Sequence, residues 1–163
     1  MTTRSRLRVR GAALALAPTL LLTGALGSLA GCSHEQPAAQ SAPVPTDQLL
    51  DQGAAHLRAG DVEAAEAAFT TVVEREPDNV YGHYDLGLVA QQTGRRLDAV
   101  RHYATALRLD PRYVPALHNL AVLTETEDLR GAVALWRRVV RLQPTDAAAR
   151  SRLTQAERRL AAS

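Results

Sequence analysis

From Thr46 onward the chain repeats itself at a constant offset. Gly53 and Gly87, Gly60 and Gly94, Ala65 and Ala99, Phe69 and Tyr103, Val72 and Ala106, and Pro77 and Pro111 are six pairs, each 34 apart. A period of this length is one supersecondary unit. Such a unit is too small to bury its own apolar face, so neighbouring units must stack. A third copy follows, shorter by one position: Ala121, Ala132, Trp136, Val139 and Pro144, with Pro111 and Pro144 33 apart. The deletion falls in a turn, where Glu125, Thr126, Glu127 and Asp128 stand in place of a glycine.

Local signals turn each repeat into a helical hairpin. Residues 49–58 and 62–75 read as helices separated by Gly60 and Asp61. Gly60 suits the left-handed residue that ends a helix. Asp61 can accept from the free N–H groups of the next helix. Pro77 stops the second helix, and Asp78 or Asn79 caps the one after it. Gly53 and Ala65 are small where two helices must approach closely. Phe69 is expected to fill the gap between one hairpin and the next, with Tyr103 and Trp136 in the same role further on. Residues 145–161 predict a last helix capped by Thr145 or Asp146. Its Ala149, Leu153, Ala156 and Leu160 form a narrow apolar stripe. One apolar side and one wet side is what a terminal cap requires.

At these positions the chain resembles tetratricopeptide repeats. Copy two fits best, with Leu86-Gly87, Ala99, Tyr103, Ala106, Leu107 and Pro111. Copy one departs from the pattern, with Gln52 in place of the leucine and His56 at the aromatic position, where a core-edge side chain is expected. Copy three has Leu120-Ala121, Ala132, Trp136 and Pro144 but lacks the turn glycine. The resemblance covers residues 46–144. It implies an all-α fold: a superhelical array of three hairpins (46–79, 80–113, 114–144) with a capping helix over 145–163. It also implies that the first helix of each hairpin lines a concave groove that binds a protein or peptide.

Residues 1–31 read as an address. Arg4, Arg6, Arg8 and Arg10 precede a chargeless apolar stretch from Gly11 to Ala30, which closes Leu29-Ala30-Gly31-Cys32. This resembles a bacterial lipobox, and Cys32 is the one cysteine in the chain. The resemblance implies removal of residues 1–31 as a lipoprotein signal peptide and lipidation of Cys32. More than one acyl chain is needed for durable attachment, and the resemblance supplies two or three. The expected location is the cell envelope. In a cell with two membranes, Ser33 after the cysteine favours the periplasmic face of the outer membrane; otherwise the anchor lies on the outer face of the plasma membrane. The lipidated cysteine and residues 33–45, with three prolines and no apolar periodicity, read as a disordered Pro/Ala linker over 32–45.

Several chemistries are excluded by composition. All 19 basic residues are arginine, so lysine-dependent catalysis is impossible. The five histidines, His34, His56, His83, His102 and His118, form neither HExxH nor an i, i+4 pair, so no metal site is expected. There is no GxSxG and no GxGxxG, and the chain is read as a non-enzyme with no cofactor. Aromatics are 4%, and the chain from Cys32 onward holds 15 Arg against 17 acids, so nucleic acid is not an expected partner.

Binding is what remains. The expected partner-binding groove holds Tyr81, Tyr84, Asp85, Leu88, His118, Asn119 and Val122, of which Tyr81, Tyr84, Leu88 and Val122 form an apolar strip that the fold does not require. Tyrosines that exclude water while hydrogen-bonding are good anchors, although Tyr84 or Leu88 equally suits packing within the array. Within the family, repeats that clamp the terminal carboxylate of heat-shock chaperones use Lys, Asn and Arg in the groove. Here those places hold Leu50, Asp51, Ala54, Tyr84, Asp85 and Leu88, and only Asn119 suits, so a free carboxylate would be repelled. Charge is also segregated. Residues 33–128 carry 7 Arg and 15 acids, and residues 129–163 carry 8 Arg and 2 acids. Arg150, Arg152, Arg158 and Arg159 are therefore a candidate basic docking patch, or simply the solvated face of the cap. The expected role is an envelope adaptor or assembly factor. The alternatives are a structural subunit that stacks on a larger complex and a non-catalytic regulator of an envelope enzyme. Three hairpins are few, so self-association into a longer array is a further expectation.

Overall fold

A computed structural model of the chain describes residues 43–163. Seven helices follow one another: α1 (Thr46–Ala59), α2 (Val62–Arg75), α3 (Val80–Gln92), α4 (Arg96–Leu109), α5 (Val114–Thr124), α6 (Leu129–Leu142) and α7 (Ala147–Ala161). The described residues are all-α, as the repeat pattern predicts. Helices α1/α2, α3/α4 and α5/α6 pair as hairpins, α2 packs on α3, α4 on α5, and α7 closes the series against α6. None of the described helices is long and apolar enough to cross a membrane. The apolar leader, Cys32 and the linker up to residue 42 lie outside the described residues.

The helix ends follow the local chemistry. Gly60 (φ 82°) and Gly94 (φ 74°) take the left-handed conformation after α1 and α3. Asp61, Asn79 and Asp146 accept from the backbone N–H of Ala64, Gly82 and Ala149, which selects Asn79 over Asp78 and Asp146 over Thr145. Helix α1 begins earlier than the sequence reading, at Thr46 in place of residue 49, because the Pro45 carbonyl accepts from the Leu49 N–H at 3.0 Å and so closes a first turn. Helix α7 begins later than expected, at Ala147, because Asp146 as cap stands outside it.

Phe69, Tyr103 and Trp136 are wholly buried. Each contributes roughly 1.5–3 kcal/mol of transfer free energy, by the ordinary scale for a large apolar side chain. Phe69 packs with Leu86 and Val89 of the next hairpin, as expected. It also lies against its own hairpin: a Cβ on Gly53 would meet Phe69 Cε1 at 2.5 Å. Tyr103 stands in the same relation to Gly87, where a Cβ would meet Cδ1 at 2.6 Å. The ring therefore fills both gaps, within and between hairpins. His56 departs from expectation. Its side chain is 46% exposed and lies 3.5 Å from Asp61, a turn partner, because α1 is the first helix and nothing among the described residues covers that side.

The third turn is built from charge in place of glycine. Helix α5 ends in a right-handed residue, Glu125. Asp128 then caps α6 by accepting from Gly131 N–H at 2.8 Å. Arg96 reaches over from α4, pairing with Glu127 at 3.0 Å and donating to the Leu123 carbonyl and to Thr126 Oγ1. Glu125, only 14% exposed, accepts from Trp136 Nε1 at 2.9 Å and lies 3.8 and 3.7 Å from Arg152 and Arg159 of α7.

Candidate functional site

Helix α3 carries Tyr81, Tyr84, Asp85 and Leu88 at spacings of 3, 4 and 7, which places them on one face. Tyr81 is 57% exposed, and Tyr84, Asp85 and Leu88 are half-buried. Tyr84 and Leu88 also pack against the core, so they serve the array and the surface together. On α5, Val122 is 36% exposed, while His118 and Asn119 are half-buried. The His118 ring stands edge-on to Trp136, with centroids 4.9 Å apart.

Tyr113 joins this set, although the sequence reading did not single it out. Its ring meets Tyr84 edge-to-face at 5.3 Å and Tyr81 at 5.7 Å. Tyr113 occupies the N-cap position of α5 and makes no side-chain cap bond. One repeat earlier the same position holds Asn79, which does cap. A tyrosine where a capping side chain belongs was the available signal; a search confined to helix faces passes over it.

Hydroxyl ends converge beneath the rings. Tyr103 donates to Gln91 Oε1 at 3.0 Å, and Asn119 Nδ2 donates to Tyr103 and Tyr84 hydroxyls at 3.3 and 3.4 Å. Asn119 is therefore occupied in holding tyrosines. Burial raises the pKa of Tyr84, Tyr103 and Tyr113, with the nearby Asp85 charge adding to it. Burial likewise pushes Asp85 up to about 6. Among the described residues, the Asp85 carboxylate has no hydrogen bond and no ion pair. No cluster of metal-ligating side chains occurs among the described residues.

The four arginines of α7 have separate environments. Arg152 and Arg159 face Glu125, and Arg159 also donates to the Glu125 carbonyl at 3.4 Å. Arg158 lines a shallow concavity beside Arg159, and Arg150 is exposed. A second concavity of about 390 Å³ gathers Arg112, Arg138 and Arg141 over Pro111 and Leu142, with Arg138 donating to the Pro111 carbonyl at 2.7 Å. These three come from a turn and from α6, elements that the sequence reading did not combine.

Residues 50–114 match the family described as Tetratricopeptide repeat. The mouse (Mus musculus) Protein O-mannosyl-transferase TMTC1 is 40% identical over 60 residues, covering 37% of this chain and 6% of that protein. The chain thus spans a small fraction of the length of the first curated relatives it matches, 6% and 7%. The Photosystem I assembly protein Ycf3 of Cyanophora paradoxa is 26% identical over 126 residues, covering 62% of this chain and 73% of that protein. Among solved structures, the first TPR of Spaghetti (RPAP3) bound to an HSP90 peptide superposes with a TM-score of 0.66 at 19% identity, covering 71% of this chain and 93% of the other. The glycine, alanine and aromatic positions that recur along the hairpins carry this match, so residues 50–114 are a tetratricopeptide repeat segment and the described residues share that fold.

Proposed function

We propose that this chain is a lipid-anchored envelope protein that holds a polypeptide segment of a partner in the groove lined by α3 and α5. The observation that carries the groove reading is Tyr81. It is a large aromatic ring left 57% exposed, held edge-on by Tyr113, at a place where the array's own packing does not consume it. Around it the half-buried Tyr84 and Leu88 and the exposed Val122 supply apolar contact, and Asp85 and His118 supply polar groups. Rigid tyrosines lose little entropy on binding and suit peptide recognition. The fold supports a role in protein–protein interaction or assembly, and the relatives named for an assembly protein and for a complex with a peptide agree with it. The chain is read as a binding module without chemistry of its own. The relatives named as transferases match over a small part of their length, so their activity does not transfer to this chain.

The anchor is assigned to Cys32, after removal of residues 1–31. Two experiments separate the parts. Cys32→Ser should abolish labelling by radioactive palmitate and release the protein from membranes; continued labelling would sink the anchor. A photo-crosslinker at position 81 should capture a partner that one at Leu97, 77% exposed on α4, does not. Equal capture from both positions would sink the groove.

A further inference from the structure

We propose that the segment held in this groove presents an arginine or lysine side chain, received between the Tyr81, Tyr84 and Tyr113 rings and the Asp85 carboxylate. The inference rests on the groove reading above and names the chemistry of its ligand. Tyr113 stands edge-to-face with both Tyr84 and Tyr81, which gathers three aromatic rings on this face of the array. Ring faces attract cations within about 6 Å, and more strongly where water is excluded. Asp85 lies on the same helix face, close enough to raise the pKa of the Tyr84, Tyr103 and Tyr113 hydroxyls.

Asp85 has no internal reason to be there. A half-buried carboxylate normally carries a hydrogen bond or a counter-charge. The other polar groups beneath the rings are matched to one another: Tyr103 with Gln91, and Asn119 with Tyr103 and Tyr84. Asp85, on this same face, makes no hydrogen bond and no ion pair with the described residues, and it is open enough for an incoming group to reach. A cation would satisfy it and lie against the aromatic rings at once. An anionic group would meet the Asp85 charge in a poorly solvated setting and be repelled. The surroundings have the same sign, since residues 33–128 carry 15 acids against 7 Arg.

Selection of random dodecapeptides against the immobilised full chain tests the inference. Enriched peptides should share one Arg or Lys. In a synthetic peptide from that pool, replacing that residue by citrulline or Gln should weaken binding roughly tenfold or more. Asp85→Asn, which keeps the side-chain shape, should weaken the cationic peptide to a similar degree and leave its uncharged version unchanged. Peptides that lose binding on Tyr81→Ala yet share no cation, or that bind Asp85→Asn undiminished, would overturn the inference and leave the groove standing. If no enriched peptide is sensitive to Tyr81→Ala, the groove reading fails and the inference fails with it.

Discussion

Gly87→Ala sets two known effects against each other. Alanine in a helix interior is favoured over glycine by about 1 kcal/mol. By propensity alone the substitution in α3 should therefore stabilise. The packing says otherwise. The added Cβ would lie 2.6 Å from Tyr103 Cδ1 and 3.0 Å from its Cζ, far inside van der Waals contact. Tyr103 cannot simply withdraw. It is fully buried, and its hydroxyl is held by Gln91 and Asn119. Overpacking of a filled core costs roughly 1–3 kcal/mol, and a wholly buried ring on a helix backbone belongs at the upper end. The net expectation is a destabilisation of about 1–2 kcal/mol, read as a lower denaturant midpoint at unchanged slope in urea unfolding followed by circular dichroism. Tyr103→Leu supplies the control, because a smaller side chain vacates the space that the Cβ needs. In that background Gly87→Ala should be neutral or stabilising, so the double-mutant cycle should show coupling of at least about 1 kcal/mol. A raised midpoint for Gly87→Ala in the native background, or a cycle with no coupling, would refute the close-approach argument.

Glu125→Ala strands the Trp136 indole N–H in the core and should lower stability by roughly 1–3 kcal/mol. Glu125→Gln keeps an acceptor and loses only the exposed arginine pairings, so thermal melts should rank it much closer to the native chain. Asp85 offers a pH test. Burial raises its folded pKa to about 6 from an ordinary value of 3.8, so the folded state binds the proton more tightly than the unfolded one. Its contribution is most favourable below about pH 4 and is lost as pH rises through about 6. Asp85→Asn should therefore flatten that part of the stability–pH curve, and an unchanged curve would count against the burial. Gly60→Ala forces a Cβ into a left-handed residue with no packing gain, since nothing lies within 4 Å of the site, and should cost about 1 kcal/mol in the same unfolding assay.

The constant offset between Gly53 and Gly87, or Phe69 and Tyr103, determined the hairpins by itself, because stacking requires the same small and large side chains at each turn of the array. Gly60, Asp61, Pro77 and the alanine–aromatic pairs act through backbone geometry and local hydrogen bonds, which depend on neighbours in sequence. Their placement was legible for that reason. The proposed groove was legible only in part. Helical spacing put Tyr81, Tyr84, Asp85 and Leu88 on one face, but Tyr113 entered from a cap position, where periodicity carries no information.

What the tertiary structure alone decided are contacts between residues far apart in the chain. Arg152 and Arg159 read as free positive charge in the sequence, yet Glu125, from the turn between α5 and α6, lies beneath them. Arg112, Arg138 and Arg141 come together across a turn and a helix that share no period. Asp85 could be counted as an acid from the sequence, yet only the packed hairpins show that it is half-buried and without a partner among the described residues. Short-range geometry repeats along a chain and can be read from it; long-range charge pairing does not repeat, and exists only once the helices are stacked.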